Sequence, residues 1–245
     1  MNSPQTRYAL VTGGASGMGL AITERLAQDG LHVFLVDRDG TAAEREAKRL
    51  KALGLAVQPQ VLDLMDEAAT RALVQQLPAL HVLVNNAGIF DERKFFDVST
   101  ADFQRMYAVN LLAVATLTQE CAKKMAPGGR VVNIASRAYL GAKNHPHYVA
   151  SKAALVGYTR ACAMELIGQD ILVNAIAPGL IDTPILQALT PERRAAQLAL
   201  QPSGRAGTPQ EIAEAAAFLA SPRMGFITGQ VLFVDGGKSL GGTLS

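Results

Sequence analysis

The sequence predicts an α/β fold in which helices cover both faces of a doubly wound parallel sheet of about seven strands. Short apolar runs alternate with amphipathic helical patterns along the 245 residues, which is typical of βαβ units. A glycine-rich segment follows the first apolar run, and no linker-like stretch divides the chain. We therefore expect a single domain over residues 1–245.

The strands are predicted from short runs rich in apolar and β-branched residues. They are expected at residues 8–12, 31–36, 56–62, 81–84, 130–135, 171–177 and 230–234. Most are continuously apolar, which is typical of strands buried on both faces. The third is the weakest, because Pro59 cannot donate a ladder hydrogen bond and proline is confined to edge strands.

The helices are predicted from apolar residues at helical spacing, at residues 17–29, 41–53, 67–76, 100–125, 148–167 and 208–220. Gly30 is placed to end the first of them. Irregular stretches are expected at 88–98, 137–147 and 180–207, each after a strand, where an open α/β sheet has its ligand crevice. The last is long enough to predict a substrate lid over about 180–207.

Charge and cysteine usage exclude several classes of protein. The chain has 23 Lys and Arg against 21 Asp and Glu, a net charge of +2, and this balance argues against a partner such as nucleic acid or a membrane surface. Charged residues make up only 18% of the chain, which indicates a large core or a surface covered in an oligomer. The first seven residues lack the apolar stretch of a signal peptide, and no apolar run reaches ~18 residues, so we expect a cytoplasmic protein. Cys121 and Cys162 fall in helical patterns and are predicted to be core residues rather than a disulfide.

The histidines do not predict a metal site. His32 and His81 lie in predicted strands and are expected to pack there. His145 and His147 lie in the loop after the fifth strand, and both are predicted to be exposed. No third ligand stands at useful spacing, so no metal is expected.

The segment 12–19 reads TGGASGMG and joins the first strand to the first helix. Glycine lets the backbone approach a ligand closely, and the helix N-terminus directs free N–H groups at it, so the segment predicts a pyrophosphate site. Asp37 ends the second strand, where a carboxylate accepts hydrogen bonds from a ribose diol in a Rossmann-type domain. The alternative for the segment 12–19 is a flexible loop without a ligand, and the alternative for Asp37 is a solvated carboxylate in a turn.

Tyr148 and Lys152 stand four residues apart at a helix start, so their side chains share one helix face. A free phenol has a pKa near 10, and a nearby ammonium lowers it by favouring the phenolate. The pair can therefore form a general acid or base for an alcohol and its ketone. Such pairs are also common on exposed helix faces.

These motifs occur together in an order that resembles the classical short-chain dehydrogenase/reductase (SDR) family over residues 6–237. Its C-terminal part, 191–237, looks most like the branch that includes the 3-oxoacyl reductases. The matching positions are the segment 12–19, Asp63, Asn85 to Gly88, Asn110, Ser136, Tyr148 to Lys152, Pro178, Gly179 and Thr183.

The resemblance implies roles for individual residues. Ser136, Tyr148, Lys152 and Asn110 would be catalytic, with Asn110 holding a water that links Lys152 to solvent. The residues assigned to the dinucleotide are Gly13, Ser16, Gly17, Met18, Gly19, Asp37, Arg38, Asp63, Leu64, Asn86, Ala87, Gly88, Tyr148, Lys152, Pro178, Gly179, Ile181 and Thr183. The residues expected at the substrate are Ser136, Ala138, Tyr139, Asn144, His145, Tyr148, Ile185 and Leu186.

The function expected from these residues is NAD-dependent interconversion of a secondary alcohol and its ketone. The nearest alternative is an NADPH-dependent 3-oxoacyl-thioester reductase, because Arg38 beside Asp37 offers a cation to a 2′-phosphate. A dinucleotide-binding sensor without catalysis is less favoured, since Ser136, Tyr148 and Lys152 are all present. The low charge and the two Ala/Leu-rich helices 100–125 and 148–167 predict helix faces buried between subunits. The resemblance implies a homotetramer, and residues 238–245 are expected to reach a neighbour.

Overall fold

The computed structural model describes residues 6–241 and contains one seven-stranded sheet. All six neighbouring strand pairs are parallel, in the order β3-β2-β1-β4-β5-β6-β7. The strands are β1 (Tyr8–Thr12), β2 (His32–Asp37), β3 (Val57–Val61), β4 (Val82–Asn85), β5 (Gly129–Ile134), β6 (Ile171–Pro178) and β7 (Val231–Val234). The order reverses between β1 and β4, which is where doubly wound sheets open a ligand crevice.

Helices cover both faces of this sheet. They are α1 (Gly17–Gln28), α2 (Gly40–Ala52), α3 (Glu67–Gln76), α4 (Thr100–Tyr107), α5 (Ala113–Ala122), α6 (Pro146–Leu166), α7 (Pro184–Gln187), α8 (Pro191–Ala199) and α9 (Pro209–Ala220). Alternate residues of β1 divide between two cores. Ala9 and Val11 face the core built with α1, α2 and α9, and Leu10 faces the one built with α3, α5 and α6. The fold class predicted from the sequence is confirmed.

Most element bounds agree with the sequence to within one or two residues. β3 is an edge strand, and Pro59 stands opposite Leu35 of β2. Gly30 follows α1 with a φ of +85° and donates its N–H to the carbonyl of Ala27, as expected for a helix end. Cys121 and Cys162 are both buried, as predicted.

Two predictions about elements are wrong. The long helix expected over 100–125 ends at Ala122 and is interrupted by a π-helical turn over Ala108–Leu112. The stretch 180–207 is not irregular throughout, since it contains α7 and α8. α8 starts as helices commonly do, with Thr190 capping the backbone N–H of Arg193 and Pro191 in the first turn.

The region 137–147 is also more regular than expected. Arg137–Leu140 forms a 3-10 turn directly after Ser136, and α6 starts at Pro146, two residues before Tyr148. Within residues 6–241 no helix combines the length and apolar character needed to cross a bilayer.

Candidate active site

The predicted site residues come together at the carboxyl edge of the sheet, around the point where the strand order reverses. The glycine segment follows β1, Asp37 ends β2, Asn86 follows β4, Ser136 follows β5, and Pro178 ends β6. Each is brought there because parallel strands end at one edge of the sheet.

The glycine segment is folded tightly against β4. Gly13 and Gly17 have φ values of +61° and +52°, in the left-handed region that glycine adopts readily. A Cβ on Gly19 would collide with the carbonyl oxygen of Gly13 and with the Asn86 amide. Only glycine therefore fits at position 19, and its missing side chain allows the segment to pack this closely.

Two side chains hold this segment in place. The hydroxyl of Thr12 accepts hydrogen bonds from the backbone N–H groups of Asn86 and Ala87, both at 3.0 Å. The Asn86 amide donates to the carbonyl oxygens of Thr12 and Gly13, at 3.0 and 3.2 Å. Asn86 and Ala87 thus position the loop rather than simply lining it.

The start of α1 fits an anion. Ser16 is the N-cap residue but makes no side-chain cap hydrogen bond, and the first turn carries no acidic residue. Its first backbone N–H groups therefore lack the side-chain acceptor that most helix starts have. Met18 is partly buried against the core, and the side chain of Thr183, in the stretch 180–207, lies near Gly17.

Asp37 is directed at the glycine segment. One carboxylate oxygen accepts the N–H of Ala15 at 3.1 Å, and the other accepts the N–H of Asp39 at 3.1 Å. The carboxylate is partly exposed and keeps further lone pairs for a ligand. Arg38 beside it is exposed and makes no ion pair or side-chain hydrogen bond among the residues that the structure describes. The carboxylate is thus an ordered group, not merely a solvated turn.

Asp63 and Leu64 follow β3. Asp63 is exposed, and its carboxylate accepts the backbone N–H of Met65 at 2.9 Å. Leu64 is partly buried against the second core. Both lie at the carboxyl edge of the sheet, in keeping with the dinucleotide role that the resemblance implies for them.

Tyr148, Ser136 and Lys152 form a compact group. The ammonium of Lys152 lies 5.9 Å from the centre of the Tyr148 ring and donates to the carbonyl of Ile134 at 2.8 Å. Burial lowers the pKa of Lys152 to about 8. Burial also raises the pKa of Tyr148, an effect that a hydrogen bond with Ser136 opposes. The Ser136 hydroxyl in addition accepts the N–H of Ala138 at 3.1 Å, so it has a turn-stabilising role as well.

Asn110 is fully buried within the π-helical turn. Its amide oxygen accepts the N–H of Ile89 at 2.9 Å, and its amide nitrogen donates to the Ile89 carbonyl and to the Ser151 hydroxyl, both at 3.1 Å. A Cβ on Gly88 would lie 3.0 Å from the Asn110 oxygen and 3.5 Å from the Lys152 nitrogen. Both amide protons are used, so the side chain of Asn110 can bind the expected water only through the remaining lone pair of its amide oxygen.

The stretch 180–207 is held together where it leaves the sheet and where it returns. Ile181 pairs with Gly207 through backbone hydrogen bonds, in which Asp182 donates to Gly207 at 2.8 Å and Gly207 donates to Leu180 at 2.9 Å. Gly179 packs so tightly against Asp235 that a Cβ would lie 2.7 Å from the Asp235 Cα atom. This anchor fixes the direction in which residues 182–206 leave the sheet.

The residues expected at the substrate differ in their burial and in what they contact. Tyr139 stacks on Phe233 of β7, at 5.8 Å between ring centres. Leu186 is buried in the fold, whereas Ile185 next to it is 64% exposed. Ala138 is buried, and Asn144 is exposed with a φ of +65°.

The prediction that both loop histidines are exposed is wrong for His147. It is fully buried beside Phe103 in the first turn of α6, at 6.1 Å between ring centres, because the helix starts two residues earlier than expected. Neither ring nitrogen has a hydrogen-bond partner within residues 6–241. His145 is partly buried beside Tyr148, at 6.0 Å between ring centres.

Phe90 was not predicted at the site from the sequence. Its ring lies edge-on to that of Tyr148, with ring centres 5.0 Å apart and planes at 88°. The available signal was its position, two residues after Gly88 in a loop that follows a strand. Loop residues carry no periodicity from which their direction can be read.

Comparison with known proteins agrees with this geometry. A profile of the family described as Enoyl-(Acyl carrier protein) reductase matches residues 13–239. A short-chain dehydrogenase/reductase from Serratia marcescens superposes with a TM-score of 0.90 at 36% identity, covering 96% of this chain and 98% of that one. The chain belongs to the short-chain dehydrogenase/reductase family. It is therefore an oxidoreductase of the class that uses a nicotinamide dinucleotide.

Two relatives within this SDR family have named activities. Subunit BbsD of (2S)-[(R)-hydroxy(phenyl)methyl]succinyl-CoA dehydrogenase from Thauera aromatica is 40% identical, over 96% of this chain and 98% of its own length. The 3-oxoacyl-[acyl-carrier-protein] reductase FabG of Thermotoga maritima is 36% identical, over 94% and 97%. The family thus includes both dehydrogenases and thioester reductases at similar distance from this chain.

Proposed function

We propose that this chain oxidises a secondary alcohol to its ketone, and reduces the ketone in reverse, with NAD as its dinucleotide. The observation that carries the proposal is the group of Tyr148, Ser136 and Lys152 at the sheet edge that Asp37 and the glycine segment share. A proton-transfer group and a dinucleotide cradle side by side are what hydride chemistry requires of a protein.

In this proposal Ser136 and Tyr148 hold the substrate oxygen, and Tyr148 takes the alcohol proton or returns it to the ketone. Lys152 favours the phenolate through its charge. Its ammonium has three donors and uses one on Ile134, which leaves two for a ribose hydroxyl or a water. The bound nicotinamide supplies the hydride transfer. Asn110 holds a water that links Lys152 to solvent.

The glycine segment fits the dinucleotide because the first turn of α1 has no side-chain cap and no acidic residue, so its N–H groups are available to a pyrophosphate. Asp37 is the residue that favours NAD. A 2′-phosphate on the ribose would bring a second negative charge close to the carboxylate and would remove a hydroxyl donor. We expect these effects to favour NAD by ~2–4 kcal/mol, or roughly 30- to 1000-fold.

The second candidate is an NADPH-dependent 3-oxoacyl-thioester reductase. Two observations favour it: the name of the relative FabG, and the unpaired guanidinium of Arg38 within the described part of the chain. BbsD is by its name a subunit of a CoA-thioester dehydrogenase, so a thioester substrate is also compatible with oxidation. The dinucleotide preference separates the two candidates.

The test is a fluorescence titration of NADH and NADPH, which needs no substrate. We expect wild type to bind NADH at least 30-fold more tightly, roughly the lower end of the range above. Asp37→Asn removes the negative charge and keeps a hydrogen-bond acceptor. It should therefore reduce the difference between the NADH and NADPH affinities, chiefly by improving NADPH binding. Arg38→Ala is the matched neighbour, and it should weaken NADPH only. Equal affinities, or tighter NADPH binding by wild type, would favour the reductase.

We also propose a homotetramer. Leu112, Met164 and Ile167, which lie in the segments expected between subunits, are 59, 78 and 49% exposed, so they are available for a neighbouring subunit to cover. Light scattering should give about four times the 25.9 kDa chain mass, and a monomer would contradict the proposal. Of the C-terminal stretch 238–245, residues 242–245 lie outside the described residues. Lys238 donates to the carbonyl of Leu200 in its own chain.

Within residues 6–241, no group of three or more histidine, cysteine or acidic side chains is arranged to hold a metal ion. The proposed reaction uses Tyr148 for proton transfer and assigns no step to a metal.

A further inference from the structure

Three aromatic rings meet at the proposed reacting group. Phe90 lies edge-on to Tyr148 at 5.0 Å and to His145 at 5.2 Å, and His145 lies 6.0 Å from Tyr148, all between ring centres. Phe90 and His145 come from two different loops, after β4 and after β5. We call Phe90 and His145 the aromatic wall. The wall stands directly beside the phenol that handles the substrate proton.

Phe90 is held on both sides along the chain. The preceding residue, Ile89, is fixed through its N–H and its carbonyl by the buried Asn110 amide. Three residues after Phe90, the N–H of Arg93 donates to the carbonyl of Asn144 at 2.7 Å and joins the two loops. The backbone that carries the ring is therefore prepared before any ligand arrives, which reduces the entropy lost on binding.

Ion pairs support the same turn. The Arg93 guanidinium contacts Asp91 at 3.0 Å and Asp102 at 3.1 Å, and Arg105 reaches the same Asp91 oxygen at 3.0 Å. Asp102 and Arg105 belong to α4, so the turn after Phe90 is tied to a helix. Surface pairs of this kind add little stability singly, but a network restricts the position of the turn.

His145 completes an apolar surface instead of adding a charge. It precedes α6, and its Nδ1 atom is buried without a partner within residues 6–241. Burial lowers its pKa, with smaller opposing and supporting effects from Glu92, His147 and Arg137. The imidazole is therefore neutral at pH 7, and its ring can pack against a substrate body as an aromatic surface.

Phe90 nevertheless remains 40% exposed, although its loop is well held. A fixed, half-exposed aromatic ring at a catalytic edge is a surface that a ligand would cover. Covering it removes apolar area worth roughly ten- to thirtyfold in affinity. A ring on the substrate also gains from an aromatic pair, by a factor of about two to ten, and loses less rotational freedom than an alkyl chain.

We propose that the aromatic wall determines substrate specificity, selecting secondary alcohols that carry a ring on the carbinol carbon. The inference rests on the proposed function for the identity of the reacting group. It assigns to Phe90 a contact with the substrate body, and to Asn110 a positioning role on Phe90 through Ile89.

The experiment compares 1-phenylethanol with 2-butanol, which present the same reacting centre with and without a ring. kcat/KM is measured for both with saturating dinucleotide in wild type, Phe90→Ala, Phe90→Leu and Phe96→Ala. Phe96 is the matched control, because it lies in the same loop and is 95% exposed, and its ring contacts that of Phe95 and not that of Tyr148.

We expect Phe90→Ala to lower kcat/KM for 1-phenylethanol by about tenfold or more and for 2-butanol by less than about threefold. Phe90→Leu should fall between wild type and Phe90→Ala, and Phe96→Ala should change neither substrate. The pH profile of Phe90→Ala should match that of wild type. Equal losses on both alcohols, with a shifted pH profile, would mean that Phe90 only supports Tyr148 and would overturn the inference.

A binding measurement separates this inference from the proposed function. Saturation-transfer NMR reports binding of acetophenone to the NADH complex, without turnover. If wild type oxidises neither alcohol, the proposed function fails. In that case the inference about the aromatic wall is supported if Phe90→Ala weakens acetophenone binding while Phe96→Ala does not. It is contradicted if both variants bind acetophenone as wild type does.

Discussion

Replacing Lys152 by methionine tests the electrostatic part of the proposed chemistry. The ammonium lies 5.9 Å from the centre of the Tyr148 ring, over which a phenolate charge is partly delocalised. At an effective dielectric constant of about 20, this distance corresponds to about 3 kcal/mol of attraction, or about two pKa units. Water around the partly exposed Tyr148 reduces this. The Lys152 pKa of about 8 applies while Tyr148 is a neutral phenol, and the same attraction raises the Lys152 pKa once the phenolate forms, so the two groups titrate as a coupled pair. Because methionine removes the cation that favours the phenolate, we expect tyrosinate formation at Tyr148 to move to higher pH by about one to two units.

The shift can be measured without a substrate by titrating near-ultraviolet tyrosinate absorbance. The chain has five tyrosines. Subtracting the titration curve of a matching Tyr148→Phe protein removes the absorbance of the other four and leaves that of Tyr148. The subtraction is made in the wild-type and in the Lys152→Met background. Lys143→Met is the control, because Lys143 is an exposed loop residue without an ion pair in the described part of the chain. Difference curves that coincide within about 0.3 unit, or a lower pKa in Lys152→Met, would refute the coupling.

Three further predictions follow from single contacts. Tyr148→Phe should lower turnover by roughly 100-fold or more while NADH affinity stays unchanged by fluorescence, and near-normal kcat would contradict a proton-transfer role. Thr12→Val removes the acceptor of two backbone N–H groups and should lower the free energy of unfolding in urea by about 1–3 kcal/mol. Among residues 6–241 the buried Thr70 hydroxyl donates one hydrogen bond, to the Asp66 carbonyl, and accepts none. Thr70→Val should therefore lower the free energy of unfolding by less, and equal losses in the two variants would contradict the reasoning. Because the Lys152 pKa of about 8 lies below its ordinary 10.5, the folded chain holds that proton less tightly than the unfolded chain. The unfolding free energy of wild type minus that of Lys152→Met should therefore rise by about 3 kcal/mol from pH ~8 to pH ~10.5, and a flat difference would refute the burial argument.

The sequence predicted the sheet well because its signals are local. Continuous apolar runs identify strands buried on both faces, and Pro59 indicated the weakest strand, which lies at the sheet edge. The end of α1 was also predictable from a local signal, because Gly30 readily adopts the positive φ that ends a helix.

Two departures in the helical regions have different causes. The π-helical turn around Asn110 inserts a wider turn into an otherwise regular apolar pattern. The local apolar pattern does not indicate this turn, because the turn serves a hydrogen bond between Asn110 and Ile89, which is 21 residues away. α8, in contrast, carries a local signal in Thr190 and Pro191, which are typical of a helix start.

The sequence by itself determined which groups can do chemistry here and at which strand ends they stand. Motif order and strand periodicity placed Asp37, Ser136 and the Tyr148–Lys152 pair at one edge, since parallel strands share their carboxyl ends. Only the tertiary structure decided how these groups are surrounded. The burial that lowers the pKa of Lys152 and the approach of Phe90 to Tyr148 both arise from contacts between segments far apart in the chain. Local periodicity cannot encode such contacts, because loop direction depends on the packing of both loops and on the hydrogen bonds that join them.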